Sequence, residues 1–234
     1  MEEIRGAFEV AFWMLWEFDS RLVAIVGLSL RVSLTAVLVA AVLGMPLGAA
    51  LALQRFPGRR ALIVGLNVLM GLPPVVVGLV VYLLLSRSGP FGVFGLLFTP
   101  TAMIVAQVVL VLPIVASLTR QVVESLSEEY RETFRSLAVP PAQALLALLW
   151  DARFWLVTAL LAGFGRAIAE VGAVMIVGGN IDHVTRVMTT AIALEVSKGD
   201  LALALGLGIV LMALSLGVNG AAFALKEAAE RRLG

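Results

Sequence analysis

Five long apolar runs, interrupted once by a long polar segment, are the feature that most constrains how this chain folds. The runs are long enough to cross a bilayer, whereas the segment from about residue 120 to residue 153 concentrates charge. Because charged side chains are costly inside a bilayer, this segment must lie in water on one side of a membrane. Its charged residues are Glu124, Glu128, Glu129, Glu132 and Asp151, with Arg120, Arg131, Arg135 and Arg153.

Composition places the whole chain in the membrane class. Hydrophobic residues make up 61% of the 234 residues, compared with roughly half in soluble domains. The runs predict an all-α polytopic membrane protein with about five transmembrane helices, in a single domain over residues 1–234. The spans are expected near residues 28–53, 61–86, 101–119, 154–177 and 201–225.

Two other stretches do not fit as spans. Residues 1–20 carry aromatic side chains among acidic ones and lack the pattern of a signal peptide, so they predict an interfacial amphipathic helix. Residues 184–197 are too few to cross a bilayer comfortably. This second stretch is therefore expected to be external or re-entrant.

Glycine and proline mark two points within the spans. Gly44-x-x-x-Gly48 in the first span permits close helix contact. We expect the motif to serve packing within the chain in preference to dimerisation. Pro73 and Pro74 interrupt the second span and free backbone carbonyls that neighbours or water must satisfy. This interruption is either a flexible, pore-lining point or a plain kink, and both interpretations stay open.

The polar segment has the pattern of a short amphipathic helix. Ser127 is expected to start it, because a serine side chain can cap a helix, and Pro140 and Pro141 are expected to end it. Phe134, Leu137 and Ala138 recur at three- and four-residue spacing and form one apolar stripe among charges. A docking surface for a partner and a solvated connecting loop both fit this pattern.

The distribution of basic residues predicts the orientation. With five spans, ten Lys and Arg residues flank one side of the membrane and five flank the other. The positive-inside rule then places the N-terminus outside, the C-terminus inside and the polar segment in the cytoplasm. The inner group is Arg55, Arg59, Arg60, Arg120, Arg131, Arg135, Arg153, Lys226, Arg231 and Arg232, and the outer group is Arg5, Arg21, Arg87, Arg186 and Lys198.

Two charged residues interrupt the fourth apolar run. Arg166 and Glu170 lie four residues apart, so they can share a helix face and pair. Counted from Phe154 at about 1.5 Å per residue, Arg166 lies roughly 18 Å into the bilayer. Each charge there costs about 3 kcal/mol even on the lenient insertion scale. The pair is therefore either a functional site or an internal ion pair that fixes helix packing.

What the sequence lacks excludes several classes of chemistry. It contains no cysteine and a single histidine, His183, so neither a thiolate site nor a His-rich metal site is expected. No phosphate-binding Gly-x-x-x-x-Gly-Lys-Ser/Thr loop occurs, and no nucleophilic triad can be recognised. The net charge of +1 with scattered basic residues gives no reason to expect a nucleic-acid partner. The chain is therefore not expected to be an enzyme.

Four stretches resemble the permease subunits of bacterial and archaeal ABC importers. Residues 132–138, Glu-Thr-Phe-Arg-Ser-Leu-Ala, are similar to the coupling loop of that family, which reads Glu-Ala-Ala, three residues, then Gly. Residues 72–78, Leu-Pro-Pro-Val-Val-Val-Gly, are similar to the second-span motif of molybdate-type permeases. Residues 165–181 and 185–195 resemble the tungstate-importer permeases most closely.

The resemblance implies a type I ABC-importer permease fold in the cell (inner, cytoplasmic) membrane. Such a subunit forms a homodimer in the lipid bilayer, carries two cytoplasmic ATPase subunits and receives its substrate from an external binding protein. ATP and Mg would be bound by the ATPase, and this chain would hold no cofactor. Phe134 and Leu137 would anchor the ATPase contact, with Glu132 and Arg135 at its polar rim. The coupling residues are thus Glu132, Thr133, Phe134, Arg135, Leu137 and Ala138.

The resemblance also implies a tetrahedral dianion as cargo, with tungstate first and molybdate or sulfate as alternatives. The apolar spans offer few polar groups, so weak binding in the pathway is expected, with selectivity in the binding protein. Two competing interpretations are a self-powered anion transporter or channel, which would use the charged pair, and a membrane scaffold. The pathway residues are expected to be Pro73, Pro74, Gln107, Arg166, Glu170, Thr189 and Thr190.

Overall fold

The computed structural model describes residues 20–233 and the single position 13, and the regular structure in this part of the chain is entirely helical. The predicted interfacial helix over residues 1–20 falls almost wholly outside the described residues. The helices are α1 (Ser20–Leu53), α2 (Arg59–Met70), α3 (Pro74–Leu85), α4 (Pro100–Glu129), α5 (Arg131–Ser136), α6 (Pro141–Asp151), α7 (Arg153–Ile168), α8 (Gly172–Gly178), α9 (Met188–Lys198) and α10 (Leu201–Leu233), with a 3₁₀ turn (Gly92–Phe94) before α4.

Three of these helices are long and apolar enough to cross a membrane, namely α1, α4 and α10 as far as Ala229. Two further candidates are helix pairs bent at a short break, α2 with α3 by 104° and α6 with α7 by 70°. By length and composition, the described residues thus hold three to five candidate spans. The prediction of an all-α polytopic membrane protein is confirmed at that level.

Helices α1 and α4 form the centre of the fold, and glycine allows them to touch. A Cβ atom at Gly48 would lie 2.2 Å from the carbonyl oxygen of Ala116, and one at Gly44 would lie 3.3 Å from the amide nitrogen of the same residue. Backbones approach this closely only where no side chain intervenes. The Gly44-x-x-x-Gly48 motif therefore packs inside the chain, as expected.

The two central helices run in the same direction. Gly44 lies against Leu112 and Ala116, whereas Gly48, one turn later, lies against Ala116 and Arg120. Because positions advance together along α1 and α4, the chain between them must return to the end where α1 begins. Helices α2 and α3 make that return.

The second apolar run is a pair of helices that change direction at the prolines. Helix α2 ends at Met70, Pro73 has an extended backbone, and Pro74 is the first residue of α3. Proline is accommodated in a first turn, where its missing amide donor would have no helical partner. After the 104° bend, α3 packs against α8, where a Cβ atom at Gly78 would lie 2.7 Å from the Cα atom of Ala173.

Helix α4 continues past its predicted end at Thr119 and reaches Glu129. The prediction that Ser127 starts a helix is wrong, because its hydroxyl donates to the carbonyl oxygen of Glu124 within α4 (2.9 Å). Glu124 in turn pairs with Arg120 one turn earlier, and such pairs stabilise a helix. The first part of the polar segment therefore extends the third span.

The two prolines of the polar segment begin a helix instead of ending one. Helix α5 already ends at Ser136, and Pro141 is the first residue of α6, with Pro140 extended before it. As in α3, proline stands where no helical donor is needed. The polar segment thus consists of the last turns of α4, the short α5 and the longer α6.

The fourth apolar run follows α4 in the opposite direction as two pieces, α7 and α8, separated by residues 169–171. The side-chain amide of Gln107 donates to the carbonyl oxygen of Ala167 (2.9 Å). Nearer the start of α4, the amide of Phe98 donates to the carbonyl oxygen of Val177 (2.9 Å). Helices α7 and α8 together therefore reach back to the beginning of α4.

The stretch expected to be external or re-entrant forms α9, which packs beside the beginnings of α1 and α10. The amide of Met188 donates to the hydroxyl of Ser29 (2.8 Å), and its side chain clusters with Leu22 and Leu207. The bundle consequently has two distinct ends. The His183 end holds the starts of α1 and α4 and residues 179–187, and the Leu137 end holds their far ends and residues 120–153.

Candidate coupling segment and translocation pathway

Helix α5 closes with a capping arrangement that explains one position of the coupling motif. Ala138 has a left-handed backbone (φ 47°), its amide donates to the carbonyl oxygen of Arg135 (3.2 Å), and the amide of Val139 donates to that of Phe134 (3.0 Å). This pair of bonds is the Schellman motif, whose left-handed position favours glycine. Ala138 stands where the related motif has glycine. The sequence therefore differs from the motif in the side chain at this position, while the backbone keeps the conformation that glycine favours.

Replacing Ala138 with glycine is expected to stabilise this turn by about 1 kcal/mol, because glycine adopts the left-handed conformation without strain. Slower hydrogen exchange over residues 131–139 in detergent would show it. Ala147→Gly, at an exposed position inside α6, is the matched control and should destabilise its helix by about 1 kcal/mol. Equal effects of the two substitutions would contradict the assignment of a strained turn.

The two large apolar residues of the coupling motif, Leu137 and Phe134, differ in their exposure. Leu137 is 69% exposed, and Glu132, Thr133 and Arg135 are exposed beside it. Phe134 is half-buried against α4 and α6, in a cluster built on Val123 and Leu148 of those helices. Leu137 is therefore free to meet a partner, whereas Phe134 already has contacts within its own chain.

Tyr130 fastens α5 to the corner between α6 and α7. Its ring stacks on Phe134, with centroids 5.6 Å apart, and its hydroxyl donates to Oδ2 of Asp151 (2.9 Å). That hydrogen bond, followed by the negative charge of Asp151, raises the pKa of Tyr130 above its usual value. The short helix is thus held in place by aromatic and polar contacts of Tyr130, which lies outside the coupling motif.

An ion-pair network that the sequence reasoning missed ties the Leu137 end together. Arg59 at the start of α2 donates to the carbonyl oxygen of Leu51 (2.6 Å) and to Glu124 (2.8 Å), and Glu124 also pairs with Arg120. The i to i+4 spacing of Arg120 and Glu124 was visible in the sequence. The third member was not, because Arg59 reaches Glu124 from another helix.

The predicted charged pair forms, with Glu170 in the break after α7 instead of on the helix. Nη1 of Arg166 lies 3.1 Å from Oε2 of Glu170, and the two side chains are 32% and 3% exposed. The other carboxylate oxygen, Oε1, accepts a hydrogen bond from the amide of Ala173 (3.0 Å) at the start of α8. One buried carboxylate therefore serves both a guanidinium and a free helix amide.

Polar side chains satisfy the backbone groups that this break frees. The hydroxyl of Thr189 donates to the carbonyl oxygen of Glu170 (2.8 Å), and Gln107 donates to that of Ala167 (2.9 Å). Together with Ser29 and other side chains they line a cavity of about 10 Å³, close to the minimum for one water molecule. Such pairing permits an irregular backbone at membrane depth.

The two helix breaks lie side by side. Val75, directly after Pro73 and Pro74, lies against Gly172, where a Cβ atom would come within 2.8 Å of its Cγ2 atom. The structure thus brings the proline break next to the Arg166 and Glu170 break. Thr190 stays apart from this group, because its hydroxyl bonds to the amide and the carbonyl of Val187 at the start of α9 (3.1 Å each).

Comparison with known proteins identifies the class of this bundle. The family described as binding-protein-dependent transport system inner membrane component matches residues 44–233, so the chain belongs to that family of ABC-transporter permeases. It is a transport component and a multi-pass protein of the inner membrane. The prediction of an importer permease is confirmed.

Individual relatives show which kinds of ABC permease the chain is similar to. The chain is 40% identical over 227 residues to a tungstate uptake system permease of Peptoclostridium acidaminophilum, covering 97% of this chain and all of that protein. It is 34% identical over 219 residues to the tungstate uptake system permease of Campylobacter jejuni, covering 94% and 92%. A probable anion ABC transporter permease of Haloferax volcanii is 45% identical over 203 residues, covering 85% and 88%.

Proposed function

We propose that this chain is the permease subunit of an ATP-driven importer that passes an oxyanion, with tungstate the leading candidate, into the cytoplasm. The observation that carries the mechanism is the short helix α5, which is held by its own chain on one side and presents Leu137 and charged residues on the other. Similarity to two tungstate permeases along nearly the whole chain supports the choice of ion. A self-powered transporter or a scaffold would need no such surface.

The packing supports five crossings in one domain of the type I permease fold. Because α1 and α4 run in parallel, α2 and α3 form one crossing, and α7 with α8 forms the next. Helix α6 then lies at the Leu137 end outside this count. The excess of basic residues at that end supports a cytoplasmic location for it, with the N-terminus outside and the C-terminus inside.

In the assembled importer, two copies of the chain form the pathway and two ATPase subunits bind the Leu137 ends. The ATPase subunits hold ATP and Mg, and an external binding protein delivers the ion at the His183 ends. Glu132, Thr133, Arg135, Leu137 and Ala138 form the surface that enters the ATPase. Phe134 transmits the movement of that surface to α4 and α6, because it packs against both.

The two adjacent helix breaks form the movable part of the pathway. The helices are interrupted at 71–73 and again at 169–171, so the pieces on either side can turn relative to each other. Arg166, Glu170, Gln107 and Thr189 hold the second break in one arrangement. Arg166 is the member with access to solvent or to a second subunit, which makes it the cation that meets the anion.

Arg166, the charge that contacts the ion inside the membrane, is already neutralised by Glu170. Binding of the oxyanion in the pathway is therefore weak. We expect equilibrium dialysis of the isolated subunit with tungstate to give a dissociation constant of about 1 mM or weaker. Micromolar binding would contradict this proposal. Uptake by the complete complex, with molybdate and sulfate as competitors, would show which ion is preferred.

Coupling is tested by capture of the ATPase with detergent-solubilised permease. Leu137→Asp is expected to weaken capture by about 30-fold or more, the effect of losing one anchor residue of an interface. Glu132→Lys, at the polar rim, should weaken it less. Val93→Asp is the control, because that side chain is 95% exposed near the start of α4, far from α5.

Two results would contradict this function. The first is that the wild-type chain captures no ATPase from its own cell. The second is that Leu137→Asp captures the ATPase as well as Val93→Asp does. Phe134→Asp is less informative, because it also removes packing between α5 and its own chain.

A further inference from the structure

A cavity of about 490 Å³ at the Leu137 end lies between segments from several helices. Ala52 and Leu53 line it from the end of α1, and further lining residues come from the loop before α2, the last turns of α4, α5 and the first turn of α6. Its volume falls in the range of about 300 to 1,000 Å³ that sites for small ligands occupy. The cavity therefore borders both the candidate spans and the short helix α5.

Arginine is the commonest charged residue in the lining of this cavity. The lining contains four arginines and two glutamates, so two positive charges are in excess. A concave surface of one sign beside apolar walls concentrates groups of the opposite charge. The charged lining residues are Arg55, Arg59, Arg131, Arg135, Glu124 and Glu128.

One of the two glutamates is already bound by arginine. Glu124 pairs with Arg59 through Oε1 (2.8 Å) and with Arg120 through Oε2. Because one carboxylate serves two guanidinium groups, this network itself keeps a positive charge. The other three arginines of the lining form no ion pair with any residue that the structure describes. Their guanidinium groups are therefore available to an anionic ligand.

The cavity lies where two candidate spans meet water. Helix α1 ends at Leu53 and α2 begins at Arg59, whose side chain donates to the carbonyl oxygen of Leu51 (2.6 Å) across the intervening loop. Leu62 and Val64, in the first two turns of α2, are largely exposed, and lipid tails provide an environment as apolar as leucine for such side chains. The positive lining thus lies at the level of the lipid headgroups.

We propose that this cavity binds the phosphodiester headgroup of an anionic phospholipid. Guanidinium groups hydrogen-bond phosphate oxygens in pairs of parallel bonds, and basic pockets at the ends of spans bind acidic headgroups. Leu53, Phe134 and Pro141 give the same cavity an apolar part, which fits the glycerol and first methylene groups of a lipid and which a free oxyanion would leave unused. The inference rests on the membrane class of the chain and goes beyond the transported ion.

A headgroup in this cavity would join α5 to the spans. Arg55 lies in the loop between α1 and α2, and Arg131 is the first residue of α5, so one phosphate that contacts both ties the two segments together. Phe134 already fastens α5 to α4 and α6, and the lipid adds a contact toward α1. Hydrogen exchange over residues 131–136 is therefore expected to be slower in an anionic lipid than in a neutral one.

Lipid titration of the full-length permease in neutral detergent tests the site. Phosphatidylglycerol and phosphatidylcholine with the same acyl chains are added separately, and native mass spectrometry measures the bound fraction. Arg55→Gln with Arg131→Gln is expected to weaken phosphatidylglycerol binding at least about tenfold, because each basic residue near an acidic headgroup contributes about fivefold in affinity. Phosphatidylcholine binding should stay unchanged. Both side chains are exposed, so the melting temperature should also stay close to that of the wild-type chain.

Two single variants serve as controls of opposite kinds. Arg87→Gln removes an exposed arginine from the loop after α3, outside this cavity, and should bind phosphatidylglycerol as the wild-type chain does. Glu128→Gln removes a negative charge from the lining and should strengthen that binding at least about threefold. The proposal is overturned if the wild-type chain binds both lipids equally, if Arg87→Gln weakens binding as much as the double variant does, or if Glu128→Gln fails to strengthen it.

Competition distinguishes a lipid from a free ion. Sodium phosphate at about 10 mM, a concentration that fills millimolar sites, should displace phosphatidylglycerol no more than sodium chloride of the same ionic strength does. Stronger displacement by phosphate would overturn the lipid assignment in favour of a free oxyanion.

Capture of the ATPase distinguishes a lipid from a protein partner. The double variant Arg55→Gln with Arg131→Gln is expected to capture the ATPase at the wild-type level. Loss of capture with unchanged phosphatidylglycerol binding would overturn the proposal and assign these arginines to the ATPase contact. Failure of the proposed function is seen separately, as absence of ATPase capture by the wild-type chain.

Discussion

Replacing Glu170 with alanine is expected to lower the free energy of unfolding by about 3 kcal/mol, because a buried charged pair loses one partner. The substitution leaves the Arg166 guanidinium without its counter-charge and the amide of Ala173 without an acceptor. It also releases α8 from the break, so transport in the reconstituted complex should be lost. Thermal denaturation in detergent measures the first effect, and tungstate uptake measures the second.

Glu227→Ala is the matched control for this prediction. Glu227 and Arg231 form an ion pair with the same i to i+4 spacing, but both side chains are largely exposed, at 49% and 77%. An exposed pair of this kind contributes about 0.5 kcal/mol. If the Glu170 and Glu227 variants lose similar stability, the Glu170 carboxylate does not organise the break.

Glu170→Gln separates charge from hydrogen bonding. The glutamine side chain retains an oxygen that can accept from the amide of Ala173, but it cannot neutralise Arg166. Stability should therefore fall less than in the alanine variant, while uptake should still fall sharply if Arg166 must exchange its carboxylate for the transported anion. Normal uptake by this variant would assign the pair to helix packing alone.

Replacing Gly48 with valine is the second substitution with a large expected effect. Its Cβ atom would lie 2.2 Å from the carbonyl oxygen of Ala116 and 3.0 Å from the amide nitrogen of Arg120. Backbone atoms cannot move aside as a flexible side chain can, so α1 and α4 must separate, which is expected to cost about 3 kcal/mol or more. The yield of monodisperse protein on size-exclusion chromatography should fall accordingly.

Gly27→Val provides the comparison on the same helix. A Cβ atom at Gly27 meets nothing within 4 Å, so this variant should be recovered at close to the wild-type yield. The pair of substitutions distinguishes a steric effect between α1 and α4 from a general effect of valine in α1. Recovery of the Gly48 variant at the same yield as the Gly27 variant would show that the contact is not required.

The coupling segment shows how far a motif can be interpreted without a structure. The sequence indicated the helix, its apolar residues and its resemblance to a known coupling loop. It treated Phe134 and Leu137 alike, because both lie on one apolar stripe. Only the packing distinguishes them, since Phe134 is half-buried in a cluster with Val123 of α4 and Leu148 of α6, contacts that the spacing of the stripe does not reveal.

Helix boundaries in the polar segment were the less accurate part of the prediction. Ser127 and Pro140 are good local signals for a helix start and a helix end, yet α4 runs through the first and α6 begins beside the second. Capping preferences act over one turn of helix. They were overridden by the pairing of Arg120 with Glu124 and by the packing of Val123 against neighbouring helices.

The sequence by itself determined the membrane class, the apolar runs and the pairing of Arg166 with Glu170, because hydropathy and short-range spacing are properties of neighbouring residues. The sequence also indicated the break in the second run at Pro73 and Pro74. Tertiary structure alone decided that the fourth run is broken, that the two breaks lie side by side, and that arginines from α1 and from residues 179–187 line one cavity. Those features depend on contacts between segments far apart in the chain. Their geometry is fixed only when α1 and α4 pack together through Gly44 and Gly48.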